Sequence, residues 1–204
     1  MKDRKFDIQK IVRENVLRLK PYSSARDEFT DFNKKMIFLD ANENPFDNGL
    51  NRYPDPQQRK VKKLLAEQKG VKQENILLGN GSDEVLDLIY RAFCEPSKDK
   101  GITLPTTYGM YQVLADTNNI EQREVLLTSN FQLNTNTILS KTDKNSKILF
   151  ICSPNNPTGN IFKTNDIENL LKSFKGLVVI DEAYIDFSSK DSWVTKLFEF
   201  PNLI

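Results

Sequence analysis

Histidine is missing from all 204 residues, and that absence excludes a good deal of chemistry. Ser-His-Asp triads, Cys-His pairs, zinc-protease helices and most zinc, copper or haem sites rest on imidazole. Catalysis here therefore needs Lys, Tyr, carboxylates or a borrowed cofactor, and no metal site is expected. An excess of one charge is lacking too: 29 Lys and Arg stand against 28 Asp and Glu, a formal net charge of +1. Neither a basic face for nucleic acid nor an acidic tail follows from that balance. No stretch approaches the roughly 18 consecutive apolar residues of a membrane span, and the charged start at Met1–Phe6 has no apolar signal core. A cytoplasmic protein without membrane or nucleic-acid partners is the expectation. Cysteine is scarce. Cys94 and Cys152 each follow an apolar residue, lack CxxC spacing and read as reduced core thiols. Asn80-Gly81-Ser82 matches a glycosylation sequon that, without a secretory signal, reads as accidental.

What is present is an alternation. The chain is long enough for one sizeable core or two small ones. Ile8, Ile11, Val12, Val16 and Leu19 fall on one helical stripe that Pro21 stops, predicting an amphipathic amino-terminal arm. A polar stretch, Asp27–Lys35, links that arm to a short apolar run, Met36–Leu39, and places the one plausible boundary near residues 30 to 36. Asp55 and Pro56 predict the start of a helix, and Gly70 its stop. Ile76–Leu78, Gly101–Leu104, Val125–Leu127, Ile148–Ile151 and Leu177–Ile180 are short apolar runs read as strands. Helical spacing is seen over Val85–Phe93, Tyr108–Ala115 and Ile167–Phe174. Strands buried on both faces read as continuous apolar runs, so the prediction is an α/β fold with a mostly parallel sheet flanked by helices. Ligands of such sheets bind beyond the carboxyl ends of the strands, which directs attention to three loops.

The first, Gly79-Asn80-Gly81-Ser82-Asp83-Glu84, joins a strand candidate to a helix. Its glycines let backbone approach an anion, and a helix start offers free N–H groups. It has no Walker Gly-Lys-Ser/Thr and no third glycine of a dinucleotide loop, and an ordinary capped turn reads at least as well. The second is Ser153-Pro154-Asn155-Asn156-Pro157-Thr158-Gly159, where Pro157 drives Asn156 to an extended conformation and sets the angle of its amide. A plain Pro/Asn/Gly turn is the other reading. The third is Asp181-Glu182-Ala183-Tyr184, at the end of a buried strand. A carboxylate buried there needs a cation or donors, unless the strand simply reaches solvent. Tyr22, Tyr53 and Tyr108 lie in Pro- or Gly-containing loops, where aromatics often only cap a core.

A phosphate cradle, a set amide, a carboxylate in want of a cation and loop tyrosines suit a flat, cationic, phosphorylated ring, of which pyridoxal 5'-phosphate is one. The segments Leu39-Asp40-Ala41-Asn42-Glu43-Asn44-Pro45-Phe46, Asn51-Arg52-Tyr53-Pro54-Asp55, Gly79–Glu84, Tyr108-Gly109-Met110-Tyr111, Ser153–Gly159 and Asp181–Tyr184 resemble, in order, those of the histidinol-phosphate aminotransferase family, pyridoxal-phosphate enzymes of fold type I. The resemblance implies the large domain of that fold over residues 36–204, incomplete, with residues 1–35 as an arm and part of a small domain. It implies that Gly81, Ser82 and Asp83 cradle the cofactor phosphate, helped by Tyr53 from the second subunit of a homodimer. Tyr108 would stack on the ring, Asn156 and Tyr184 hold its phenolic oxygen, Asp181 pair with its nitrogen, and Tyr22 approach the substrate. The implied reaction moves an amino group from histidinol phosphate to 2-oxoglutarate, in histidine biosynthesis. Threonine-phosphate decarboxylase shares these motifs, and a remnant that only binds cofactor or a partner is an alternative of another class. The Schiff-base lysine of the family is expected beyond Ile204, with the carboxy-terminal small domain. Lys141, Lys144, Lys147, Lys163 and Lys172 all read as solvated, so the 204 residues read as an amino-terminal portion, inactive alone.

Overall fold

The computed structural model describes residues 6–23, 37 and 39–204. The expected boundary near residues 30 to 36, and Met36 and Phe38 of the first apolar run, lie outside the described residues. Four strands, β1 (Lys100–Thr103), β2 (Glu121–Glu124), β3 (Ser146–Cys152) and β4 (Leu177–Asp181), form one parallel sheet in the order β2-β1-β3-β4. Helices lie between them: α1 (Glu14–Leu17), α2 (Arg59–Lys69) and α3 (Ser82–Phe93) precede the sheet, α4 (Met110–Thr117) follows β1, α5 (Thr135–Ser140) follows β2, and α6 (Thr164–Ser173) follows β3. Fold class is as the apolar runs predict.

Both faces of the sheet are buried, and the side chains of β3 show why. Ile148, Phe150 and Cys152 enter one core with Leu86, Ile89 and Tyr90 of α3 and Tyr111 and Leu114 of α4. Leu149 and Ile151 enter the other, with Ile138 of α5 and Ile167 and Leu170 of α6. Burying each such side chain contributes about 1.5–3 kcal/mol, against about 0–1 kcal/mol for an exposed ion pair. Core burial therefore dominates the stability. Cys94 and Cys152 are buried and unpaired, and burial pushes the Cys94 thiol up to about 12.

Several expectations need correction. Val125–Leu127 is not a strand; β2 lies just before it, in the charged segment Glu121–Glu124, because an edge strand with one neighbour has little apolar surface to hide. Ile76–Leu78 runs extended but joins no strand among the described residues, and Leu77 is exposed. The arm is not one continuous helix: a 3-10 turn at Ile8–Lys10 is followed by the single turn α1. What fastens it is Arg13, whose backbone N–H donates to the Ala92 carbonyl (2.9 Å) and whose guanidinium donates to the Arg91 carbonyl (2.9 Å) and to Glu95 (3.1 Å). The backbone N–H and the guanidinium each satisfy one carbonyl at the end of α3. Helix α2 starts after Gln58 rather than at Pro56, although Asp55 accepts from the N–H groups of Gln57 (2.9 Å) and Arg59 (2.8 Å). Gly70 ends it in the left-handed region, as expected.

Candidate functional site

The chain enters the sheet at β1, moves outward to β2, then returns to the other side of β1 with β3. The strand order thus reverses between β1 and β3, and the loops leaving these two strands part there to open a crevice. Asn155 ties the two loops together. Its amide donates to the Thr106 carbonyl (2.8 Å) and to the Thr158 hydroxyl (2.6 Å), and its side-chain oxygen accepts from the Thr107 hydroxyl (2.9 Å). Asn155 is buried. Asn156, next to it, is half-buried, and its side-chain amide has no hydrogen-bond partner among the described residues. Asn156, whose amide the following proline sets, is therefore the free one of the pair, and its neighbour Asn155 is the brace.

One side of this crevice is the start of α3. Gly81 precedes the helix with φ 82°, a conformation that favours glycine, and no atom lies within 4 Å of where its Cβ would stand. No side chain caps the helix start. Neither Ser82 nor Asp83 caps it, so the ordinary capped turn is not what the chain forms here. Glu84 turns back onto the N–H and amide of Asn80. Uncapped N–H groups and open space beside a glycine can take an anion.

The other side is the end of β4. Asp181 is half-buried, and its two oxygens meet only neutral donors: the Tyr111 hydroxyl on Oδ2 (2.7 Å) and the Ala183 N–H on Oδ1 (3.1 Å). No lysine or arginine pairs with it among the described residues. Glu182, one residue on, accepts from the Trp193 N–H (2.8 Å) and the Ser192 hydroxyl. Of the two adjacent acids, one is spent on its own chain and the other is left for a cation.

Tyr108 joins the two sides. Its hydroxyl donates to Asp83 (3.0 Å), and its ring meets that of Tyr111 edge-on with centroids 5.6 Å apart. Partial burial first, then Asp83, Asp181 and Tyr184, raise its phenol above the ordinary value. Asp83, Tyr108, Asp181 and Tyr184 are therefore one electrostatic neighbourhood, with Tyr184 45% exposed on its rim. The sequence motif Tyr108-Gly109-Met110-Tyr111 by itself assigns Tyr111 no role. Its position three residues after Tyr108 at a helix start, which puts both rings on one side, was the available signal. Tyr53 and Tyr22 are not brought in: they are 64% and 90% exposed. Lys141, Lys144, Lys163 and Lys172 are exposed, and Lys147 lines a cavity of about 690 Å³ beneath the amino ends of the strands. The arrangement can hold an anion at α3, a flat ring against Tyr108 and a cation at Asp181.

Known proteins carry the same arrangement of elements. A histidinol-phosphate aminotransferase from Flavobacterium johnsoniae is 66% identical over 98% of this chain, and the chain spans 57% of that relative's length. A solved histidinol-phosphate aminotransferase from Clostridium acetobutylicum superposes with TM-score 0.66 at 26% identity, over 76% of this chain and 46% of that one. Another from Sinorhizobium meliloti, in complex with pyridoxal-5'-phosphate, gives TM-score 0.67 at 21% identity, over 74% and 42%. The profile of aminotransferase class I and II matches residues 31–202, so the chain belongs to the class I and II aminotransferase family.

Proposed function

We propose that the protein carrying this chain is a pyridoxal-phosphate-dependent transaminase that moves the amino group between L-histidinol phosphate and 2-oxoglutarate. The observation that carries the reading is Asp181: a half-buried carboxylate at a strand end, held by two neutral donors and left without a cation. A protonated pyridine nitrogen is the cation that such a site suits. The 66% identity to a relative named for this activity supports the choice of substrates. When bound, the cofactor supplies an electron sink for the bond broken at the substrate's Cα.

The residues of this chain do the rest by holding and orienting. The start of α3 receives the phosphate, Gly81 by leaving open space beside its Cα and Ser82 and Asp83 through backbone N–H groups. Tyr108 presents a ring face for stacking. Asn156 donates its free amide, and Tyr184 its phenol, to the ring's oxygen. Asp181 holds a proton on the ring nitrogen by opposing its charge, which favours the charged form. Tyr53 reaches the phosphate of a second subunit in a homodimer, and its exposure in one chain is compatible with that. Tyr22 approaches substrate from an arm within residues 1–35, residues 36–204 forming the cofactor-binding body. The Schiff-base lysine is none of the lysines described above. No described helix is long and apolar enough to cross a membrane, and the cytoplasm is the proposed site of action.

The longest reading frame that carries this chain, purified with cofactor, should form glutamate from histidinol phosphate and 2-oxoglutarate. Carbon dioxide release from phosphothreonine in place of glutamate would favour the decarboxylase, and a protein that binds cofactor but turns over neither substrate would be the remnant.

A further inference from the structure

We propose that Tyr111 is a positioning residue for the cofactor-binding acid: its hydroxyl sets the orientation in which Asp181 meets the ring nitrogen. This rests on the cofactor reading above. Asp181 receives one donor on each oxygen, and the two are unlike. The Ala183 N–H belongs to the same turn as the carboxylate and moves with it. The Tyr111 hydroxyl comes from α4, across the crevice, and anchors Oδ2 at 2.7 Å to a different element. Tyr111 itself cannot readily shift. It is 1% exposed, its ring stacks on Phe150 of β3 with centroids 4.7 Å apart and planes at 15°, and its carbonyl accepts from the Tyr90 hydroxyl at 3.0 Å. Gln122 of β2 donates in turn to that hydroxyl. Residues of β2, β3, β4 and α3 thus hold this residue of α4 in place, directly or through Tyr90.

The chemistry of the phenol matters as much as its place. A lysine or arginine at this position would also orient the carboxylate, but would neutralise it and compete with a cationic ring. A phenol donates one hydrogen bond and leaves the negative charge intact. Burial first, then the neighbouring Asp181, drives its ionisation far above the ordinary range, so it remains a donor at every working pH. The same ring touches Tyr108. One residue therefore relates the height of the stacking ring to the direction of the acid.

The test uses pyridoxal phosphate labelled with ¹⁵N in the ring, bound to the longest frame carrying this chain. Asp181→Asn should move the ring-nitrogen resonance to that of an unprotonated pyridine. Tyr111→Phe, which keeps the ring packing, should move it part of the way and weaken cofactor binding about tenfold, the usual scale for a hydrogen bond to a charged group. In the Asp181→Asn background the same change should weaken binding by less than about twofold, because the two residues act as one unit. Tyr111→4-aminophenylalanine, which keeps the ring and places a neutral N–H donor at the same reach, should bring the resonance back toward wild type. Should Tyr111→Phe not fold, the aminophenylalanine variant decides: a resonance matching that of Asp181→Asn despite bound cofactor overturns the proposal. An unchanged resonance in Tyr111→Phe, or an equal loss of binding in both backgrounds, also overturns it and leaves the cofactor reading standing. A wild-type protein that binds no cofactor overturns both.

Discussion

Charged side chains at the two ends of the sheet are handled in opposite ways. Toward the amino ends, Lys100 reaches Glu121 (3.1 Å) and Asp143 (3.6 Å), while Arg123 reaches the same two acids at 3.1 and 2.6 Å. Two cations and two anions close on one another. At the carboxyl ends, Asp181 meets only a phenol and a backbone N–H, the helix start at Gly81 has no cap, and the amide of Asn156 has no partner among the described residues. Carboxylates stand at both ends, so the presence of an acid does not separate them. The difference among the groups named is whether they answer one another within the protein, although Asp99 Oδ1 and Gln122 Oε1 near the amino ends are also buried without a partner. Charges that answer one another act as scaffold, and the open groups that face the crevice at the carboxyl ends are poised for something from outside, since unsatisfied groups are otherwise a cost.

That contrast can be broken experimentally. The largest change is expected from Phe150→Ala, which empties the space between Tyr90 and Tyr111 in the core beneath the site. It should cost about 3–5 kcal/mol by urea unfolding and damage both ends together. Asp181→Asn should separate them. Turnover should fall roughly 10²–10³-fold, the scale for losing one preorganised electrostatic contact, with the thermal midpoint held or raised because an unpaired half-buried anion is gone. A midpoint that drops along with turnover would mean that Asp181 is scaffold after all.

The smallest effect lies at the amino end. The Asn145 N–H first (2.8 Å), and then the Arg123 guanidinium, hold the Asp143 carboxyl down at about 2. A folded-state value below the unfolded one means that this stabilisation is complete above about pH 4. It is lost as pH falls through about 2. Asp143→Asn should therefore lower stability at pH 7, flatten its fall between about pH 4 and 2, and leave cofactor affinity unchanged. Acid titration followed by circular dichroism reads all but the last.

Much of the fold was legible along the chain. Ile148–Ile151 and Leu177–Ile180 read as strands buried on both faces because every residue in them is apolar, and Gly101–Leu104 because three of its four residues have a face to bury. Glu121–Glu124 gave no such signal, since an edge strand can be built of charged residues. Ile76–Leu78 gave a false one, since an apolar run is a strand only when a neighbour lies within hydrogen-bonding reach. At the site, Gly81, Tyr108, Asn156 and Asp181 stood out by residue type and by position at element ends. Tyr111 and Asn155 did not, because each works through a residue distant in sequence: Asp181 for one, Thr106 and Thr107 for the other.

The amino-acid order alone determined that imidazole chemistry is excluded, that helices alternate with buried parallel strands, and that polar residues gather at strand ends. Those properties follow from composition and local periodicity, which act over a few residues. Which polar groups answer one another was decided only by the tertiary structure. The pairing of Tyr111 with Asp181 and the brace of Asn155 depend on strand order, and strand order is set by packing across the whole chain.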